Sequence, residues 1–254
     1  MIKSILETVG NTPLIELESG ILAKCEFMNP SGSIKARMAA FMVEKAEKTG
    51  LLKPGYTIVE ATSGNTGNAL SMIAAVRGYK MIVLMPEGYT SERVKISRAF
   101  GAEIRHVGHF QVNEAREEAI RLGKQSGFYC PQQFDNEWNV EENRDWLGRE
   151  ILGQIPAGVK IDAIVQGVGT GGTLIGTAMA LKEKHNPALR VFAMEPAESR
   201  TLECCIVGDH KIEGISDGFV PTIYERHKHI VTGVVGVESA VAIEAAARLA
   251  KEKG

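Results

Sequence analysis

Residues 56–77, YTIVEATSGNTGNALSMIAAVR, carry a strand, a loop and a helix in direct succession. The stretch 56–59 is aromatic and β-branched, which predicts a strand. Residues 65–77 predict a helix, and Gly78 ends it because glycine accepts the left-handed conformation that closes many helices. A strand that passes through a short loop into a helix is the unit from which parallel sheets are built. This stretch therefore predicts an α/β protein.

The same alternation continues on both sides of this stretch. Further strands are predicted at residues 80–86, 102–107, 161–166, 189–194 and 229–235. Helices are predicted at residues 34–48, 91–99, 111–125, 141–153, 172–185 and 237–252. This pattern predicts parallel sheets with helices on both faces. The irregular, polar segment 127–140 is predicted to be a hinge between two such lobes.

Composition excludes several classes of partner. The chain has 254 residues, of which 44% are hydrophobic and 24% are charged, and its formal net charge is −2. Because acidic and basic residues are interspersed, neither a nucleic acid nor an anionic membrane surface is an expected partner. No apolar run reaches the length of a membrane span, and the N-terminus lacks the pattern of a signal peptide.

The cysteines and histidines predict a reducing cytoplasm and no metal site. The four cysteines have no Cys-x-x-Cys spacing, and two of them are adjacent, which suits neither a disulfide framework nor a zinc site: Cys25, Cys130, Cys204 and Cys205. The six histidines are not joined by cysteines or acids at ligand spacing.

Lys35 ends a turn-forming run at the start of a predicted helix, Asn29-Pro30-Ser31-Gly32-Ser33-Ile34-Lys35. A lysine held between rigid backbone and a helix can be kept against a cofactor. Once it loses its water contacts, the amine acts as a nucleophile and a proton carrier, as Schiff-base chemistry requires. The alternative is an ordinary solvated lysine in a first helical turn.

Two glycine-rich loops each lead from a predicted strand into a helix. In Ala61-Thr62-Ser63-Gly64-Asn65-Thr66-Gly67, backbone N–H groups and polar side chains form a dense set of donors suited to a carboxylate or a phosphate. The alternative is a turn whose serine and threonines only cap the helix. In Gly167-Val168-Gly169-Thr170-Gly171-Gly172-Thr173, glycines let the backbone approach an anion closely, and phosphate is the natural ligand.

The second loop also satisfies the dinucleotide pattern G-x-G-x-x-G. Gly167, Gly169 and Gly172 supply its glycines, and Glu195 lies near the end of the next predicted strand. An NAD-dependent oxidoreductase is therefore an alternative. It leaves Lys35 and the first loop unexplained, whereas a smaller phosphorylated cofactor would use all three elements.

The motifs NPSGSIK, TSGNTG and GTGGT, in this order, resemble those of the fold-type-II pyridoxal-phosphate enzymes with tryptophan synthase β-like architecture. They are similar in particular to the cysteine synthase (O-acetylserine sulfhydrylase) and cystathionine β-synthase family. The likeness begins at Gly10-Asn11-Thr12-Pro13-Leu14 and covers nearly the whole chain. It implies a larger cofactor-binding lobe of residues 1–34 and 137–254, and a smaller mobile lobe of residues 35–136.

The resemblance also implies the roles of individual residues. Lys35 would form the Schiff base with pyridoxal 5'-phosphate, and Asn65 would contact the ring hydroxyl of the cofactor. The loop residues that would hold the phosphate are Gly169, Thr170, Gly171, Gly172 and Thr173. The residues that would bind the substrate's α-carboxylate are Thr62, Ser63, Asn65, Thr66 and Gln132, the last of which is assigned in preference to Gln133.

The implied reaction is β-replacement on an O-activated serine, such as O-acetylserine, by sulfide or a thiol to give cysteine or a related amino acid. The freed Lys35 amine would remove the α-proton as general base. A homodimer is implied as well. A catalytically impaired protein of the same fold, which binds the cofactor or amino acids, is a second alternative.

Three departures from the family pattern bear on activity. Ala36 follows Lys35 where the family usually has aspartate, which bears on how the helix start is anchored. The segment 214–219 replaces a more glycine-rich one, which leaves the nucleophile and the leaving group open. The family's Ser-Ser-Gly-Ala-Asn motif, whose serine meets the pyridine nitrogen, does not occur in this sequence. Weaker cofactor retention or lower activity than in complete family members is the expectation.

Overall fold

The computed structural model describes residues 1–18, 20–87, 91–109 and 112–253. The strands are β1 Leu14–Glu18, β2 Ile21–Lys24, β3 Thr57–Ala61, β4 Lys80–Glu87, β5 Glu103–His109, β6 Phe128–Tyr129, β7 Ala163–Gly167, β8 Arg190–Pro196 and β9 Gly233–Val237. The helices are α1 Lys35–Lys48, α2 Asn65–Arg77, α3 Ser91–Ala99, α4 Asn113–Gly123, α5 Trp138–Glu142, α6 Arg149–Gln154, α7 Gly172–Lys184, α8 Thr201–Cys204, α9 Thr222–His227 and α10 Ser239–Lys253.

The chain divides into two compact units. The first unit comprises Met1–Thr12 and Cys25–Glu142, and the second comprises Pro13–Lys24 and Asn143–Gly254. Each unit contains its own parallel sheet, which confirms the predicted α/β class. The lobes of 35–136 and of 1–34 with 137–254 stay a prediction.

The sheet of the first unit has the strand order β5-β4-β3-β6, and every neighbouring pair is parallel. Its central strands are buried on both faces, as Ile58 and Val83 are fully covered. Helix α2 is buried over nearly its whole circumference, and Leu70 and Ile73 pack into the same core as Val43 of α1. A helix that is buried on nearly all sides is part of the core of its unit, although this one also carries polar residues.

The chain order creates a switch point in this sheet. The chain runs from β3 to β4 and β5 on one side, and then returns to place β6 on the other side of β3. In parallel sheets of this kind, ligands bind in the crevice outside the carboxyl ends of the two strands at the switch point. The TSGNTG loop leaves β3 and the segment 130–133 leaves β6, so this crevice is the natural place for a ligand.

The sheet of the second unit has the order β7-β8-β9 and is also parallel. Leu174 and Leu181 of α7 pack against Val191 of β8 in its core. The antiparallel hairpin of β1 and β2, which the sequence interpretation did not include, belongs to this unit as well.

Two predicted elements differ from the structure. The predicted helix 141–153 contains a π-helical stretch at Asn143–Gly148 between α5 and α6. Gly148 lies so close to α7 that a side chain there would meet Ala180, so the widened turn accompanies a tight helix contact. The strand predicted at 229–235 begins only at Gly233, opposite Phe192 of β8.

Two further predictions concern the start of one helix and the question of membrane spans. Gln111, the first residue of the helix predicted at 111–125, lies outside the described residues, and the helix observed there is α4. Within the described ranges, no helix combines the length and apolar character needed to cross a membrane.

Candidate active site

Lys35 is the first residue of α1 and is partly buried. The turn before it is closed by a hydrogen bond from the Gly32 N–H to the Asn29 carbonyl, at 2.7 Å, and Gly32 has a φ of +76°. The Ser33 hydroxyl accepts the backbone N–H of Lys35 at 3.3 Å. The turn and the helix start therefore hold the lysine backbone from both sides, as the motif predicts.

A buried ion pair anchors this helix start. Arg37, two residues beyond Lys35, is fully buried, and its guanidinium donates to both carboxylate oxygens of Glu26 at 2.7 and 2.9 Å. The Thr12 hydroxyl and the Asn29 amide donate to the same carboxylate at 2.6 and 2.7 Å. The network ties the turn before Lys35 to the helix after it. It supplies an anchor in a first helical turn where Ala36 provides no acid.

The TSGNTG loop joins the end of β3 to the start of α2. Thr62 is buried and its hydroxyl accepts the Gly64 N–H at 2.9 Å, whereas Ser63 is partly exposed and Asn65 is exposed. The first N–H groups of a helix have no partner within the helix, and its dipole favours an anion there. The Arg93 guanidinium, which donates to the Ser63 carbonyl at 2.9 Å, adds positive charge beside the loop.

Gln132 and Gln133 have different environments. The Gln133 side chain is buried, accepts the Thr66 hydroxyl at 2.6 Å and donates to the Ala61 carbonyl at 2.7 Å. Gln132 is exposed and has a φ of +58°, in the left-handed region that non-glycine residues seldom adopt. The side chain of Gln133 is thus used within the protein, and the assignment of Gln132 to the substrate stays a prediction.

Glu60, the residue before Ala61, is an almost completely buried acid that the sequence interpretation passed over. Its carboxylate accepts the N–H of Ala61 at 2.9 Å and the N–H of Gln133 at 3.1 Å. Burial raises the pKa of Glu60 to about 7, and the backbone hydrogen bonds only partly offset that effect. An acid at the end of an otherwise apolar strand was a signal visible in the sequence.

The second glycine-rich loop lies in the second unit, between β7 and α7. Gly171 has a φ of +88° and precedes the first residue of α7. The loop is packed from behind, since a side chain on Gly169 would meet the carbonyl oxygen of Gly214 at 2.7 Å and one on Gly171 would meet Tyr224 at 3.2 Å. Tyr224 is a part of this site that the motifs did not indicate, whereas the 214–219 segment was already singled out in the sequence.

This loop fits the phosphate of pyridoxal phosphate. Glycines bring the backbone N–H groups close to any ligand at the start of a thirteen-residue helix. Thr170 is buried and Thr173 is partly exposed, so hydroxyl donors accompany the backbone. No acidic residue occurs between Gly167 and Thr173 to repel an anion.

The dinucleotide alternative meets a different geometry. Glu195 is fully buried, and its carboxylate accepts the backbone N–H of Leu202 at 2.7 Å, at the start of α8. An acid that binds a ribose must reach the ligand, whereas this carboxylate serves a helix end. The loop therefore keeps its phosphate character without the acidic partner of the dinucleotide pattern.

The four cysteines are free thiols, of which Cys204 and Cys205 are exposed. Among the residues that the structure describes, no group of three or more histidines, cysteines and acids has the arrangement of a metal site. The absence of a metal stays a prediction.

Comparison with known proteins gives a family match and close relatives. The sequence profile of the family described as "Pyridoxal-phosphate dependent enzyme" matches residues 5–254. A cysteine synthase of Staphylococcus aureus is 38% identical over 261 aligned residues, which cover 100% of this chain and 83% of that relative.

Solved structures agree in fold over the whole chain. The structure of an O-ureido-L-serine synthase superposes with a TM-score of 0.93 at 37% identity, and the match covers 100% of this chain and 81% of that one. An O-acetylserine-dependent cystathionine β-synthase from Helicobacter pylori superposes with a TM-score of 0.93 at 31% identity, with coverages of 100% and 85%.

The phosphate loop leads to a first prediction. In Gly169→Ala the new methyl group cannot fit beside the Gly214 carbonyl oxygen, so the loop backbone must move. We expect the dissociation constant for pyridoxal phosphate, measured by absorbance titration, to rise at least about tenfold, since about 1.4 kcal/mol of binding is lost with one good phosphate contact. Gly153→Ala is the control, because nothing lies within 4 Å of its added methyl group. Equal affinity of the two variants would contradict the assignment.

The anchor of α1 gives a second prediction. Glu26→Gln leaves the buried Arg37 guanidinium without its charge partner, and we expect the free energy of unfolding to fall by about 3 kcal/mol. Glu44→Gln breaks an exposed pair with Lys48 on the same helix and should cost less than about 0.5 kcal/mol. Urea denaturation measures both, and a loss below about 1 kcal/mol for Glu26→Gln would show that the pair is not an anchor.

Glu60 gives a third prediction, with a sign that follows from its pKa. Because the pKa of about 7 in the folded protein exceeds the usual 4.5, the folded state binds the proton more tightly than the unfolded state. This group therefore makes the free energy of unfolding fall as the pH rises from about 4.5 to about 7, by on the order of 3 kcal/mol. The free energy of unfolding of Glu60→Gln minus that of the parent is measured in urea at pH 5 and at pH 8. This difference should be larger at pH 8 by that amount, because only the parent loses stability as the acid ionises. A difference that does not vary with pH would be inconsistent with a buried, titrating carboxylate.

Proposed function

The chain belongs to the pyridoxal-phosphate dependent enzymes, and we propose that it catalyses β-replacement on an O-activated serine, with O-acetylserine and sulfide as its substrates. Acetate leaves as the bond between Cβ and oxygen breaks, and cysteine results as a bond between Cβ and sulfur forms. The observation that carries the proposal is the phosphate-type loop at the start of α7, in a chain 38% identical over its full length to a cysteine synthase. The Helicobacter pylori relative is an O-acetylserine-dependent enzyme, which supports the choice of leaving group.

Pyridoxal phosphate, when bound, withdraws electrons from the α-carbon of the amino acid joined to it. Gly169, Thr170, Gly171, Gly172 and Thr173 would hold its phosphate, and Asn65 would contact its ring hydroxyl. Lys35 would carry the cofactor at rest. Its Nζ would then take the proton from the α-carbon of the substrate, as a general base.

The TSGNTG loop would orient the substrate. Thr62, Ser63, Asn65 and Thr66, with Gln132, would bind the α-carboxylate through hydroxyl, amide and backbone donors at the start of α2. Holding the carboxylate there fixes the α-carbon relative to the general base, which is the positioning that proton abstraction needs.

The setting of the enzyme is proposed as well. Free thiols and the lack of disulfide spacing support the cytoplasm. A homodimer is proposed on the resemblance to the family.

Lys35→Ala provides the test of the reaction. We expect the variant to lose at least about a thousandfold in kcat for cysteine formation from O-acetylserine and sulfide, because the general base and the attachment point are removed together. It should also lose the visible absorption band of the lysine-bound cofactor. Lys48→Ala, at the exposed end of the same helix, is the control and should keep both. Normal turnover by Lys35→Ala would rule out the assignment.

The substrate is tested separately with a panel. The parent protein, supplied with pyridoxal phosphate and sulfide, is assayed with O-acetylserine, O-phosphoserine and serine under the same conditions. O-acetylserine should show the highest kcat/KM. A preference for another member of the panel would keep the reaction class and change the substrate.

A further inference from the structure

Glu60 lies directly behind the loop that is proposed to bind the substrate carboxylate. It occupies the penultimate position of β3, and the loop begins two residues later at Thr62. Only about 1% of its surface is exposed, so it does not reach the substrate itself. Any effect on the reaction must therefore pass through the residues that it holds.

The two oxygens of this carboxylate connect both sides of the switch point. One oxygen accepts the N–H of Ala61, at the end of β3, and the other accepts the N–H of Gln133, in the segment after β6. The Gln133 amide returns to the first side, where it donates to the Ala61 carbonyl and accepts the Thr66 hydroxyl. Glu60, Ala61 and Gln133 form a closed ring of hydrogen bonds, to which Thr66 is joined through Gln133, and this network links the two segments at the switch point.

We propose that Glu60 is a positioning residue, which holds the TSGNTG loop and the Gln132 backbone in the arrangement that binds the α-carboxylate of the amino acid. This inference rests on the proposed function of that loop.

The backbone of Gln132 supports this role. Its φ of +58° costs free energy in a residue with a side chain, and such a conformation persists only where the surroundings impose it. The N–H groups of Gln132 and Gln133 both interact with the Glu60 carboxylate. The exposed side chain that is proposed to meet the substrate thus stands on backbone that the buried acid holds in place.

A purely structural role would be served better by an uncharged residue. The surroundings of Glu60 include the buried Tyr129 and Cys130, whose own pKa values are raised by burial first and by the Glu60 charge second. Asp135 adds further negative charge, although Arg116 of α4 donates to both of its oxygens. Burial of a carboxylate in such a site opposes folding. An acid at this position is therefore expected to serve the function of the protein and not its stability.

The protonation state of Glu60 should then determine how firmly the TSGNTG loop is held in its binding arrangement. Of the three titratable groups next to Glu60, Tyr129 and Cys130 are neutral at neutral pH, and Asp135 is paired with Arg116. Above pH 7 the ionised Glu60 accepts hydrogen bonds on both oxygens. Below pH 7 one carboxyl oxygen carries the proton, so it becomes a donor and is a weaker acceptor for the N–H that faces it. Binding of the carboxylate should weaken as the pH falls through this range.

Glu60→Gln tests the proposal in the holoenzyme. Its amide has only one acceptor oxygen, and its NH₂ group faces a backbone N–H. We expect the KM for O-acetylserine, relative to the parent, to be about tenfold higher at pH 8, and less than about twofold higher at pH 6, where the parent is itself protonated. The kcat at saturating substrate should change less than twofold. Glu103→Gln, on the exposed face of β5, is the control and should match the parent at both pH values. A KM ratio that is near one at pH 8, or that does not vary with pH, would overturn the proposal.

A second measurement needs neither a stable variant nor turnover. In NMR spectra of the parent chain, the amide protons of Ala61, Gln132 and Gln133 should shift together with a common midpoint near pH 7. Amide shifts that stay constant between pH 5.5 and 8.5 would overturn the proposal even if the kinetics agree.

This measurement also separates the proposal from the reaction assignment. If no member of the substrate panel is turned over, the proposed function fails, and L-serine is then used as the probe. The L-serine concentration that gives half of the full shift of the loop amides should be at least fivefold higher at pH 6 than at pH 8. Such a difference would support the role of Glu60. Binding of L-serine with equal affinity at both pH values, or no binding, would refute it.

Discussion

All strands of a parallel sheet end at one edge, and the helices that follow them begin at that edge with unpaired N–H groups and the positive end of the helix dipole. Both loops that are proposed to bind anions in this protein depend on that constraint. The TSGNTG loop lies before α2 in the first unit, and the 169–173 loop lies before α7 in the second. In each unit the backbone would supply most of the donors to the ligand, together with small hydroxyl and amide side chains.

In the first unit, a titratable acid also lies behind the TSGNTG loop. Glu60 sits behind the crevice at the switch point, where it accepts N–H groups from both sides. Burial raises its pKa to about 7, so the same interaction that organises the loop opposes folding once the acid ionises. The buried Arg37 and Glu26 pair has the opposite balance, because each charge has a partner and several further hydrogen bonds. Both groups hold backbone next to residues that are proposed to contact cofactor or substrate.

Much of the fold could be predicted from apolar periodicity and glycine positions. Helices α2 and α3 and the strand β4 agree with the prediction to within a residue at each end, and α2 ends at the glycine that the sequence indicated, Gly78. The superpositions confirm the predicted fold-type-II architecture. The short strand β6 was not predicted, because two residues are too few to show a period and pairing with β3 alone defines them. The π-helical turn at Asn143–Gly148 likewise reflects close packing against α7 and has no local signal.

The sequence by itself indicated the chemistry of this protein, because the turn before Lys35 and the two glycine-rich loops are short, local motifs that can be recognised without any tertiary contact. The family match and the pyridoxal-phosphate dependence follow from those motifs. Only the tertiary structure showed that Gln132 and Gln133 have different environments, since Gln133 is buried against Thr66 and Gln132 is exposed. Only the tertiary structure, too, brought Glu60 to the backbone of residue 133, which is 73 positions away in the chain. Hydrogen bonds between distant segments depend on which strands are neighbours, and the spacing of residues along the chain does not predict the strand order.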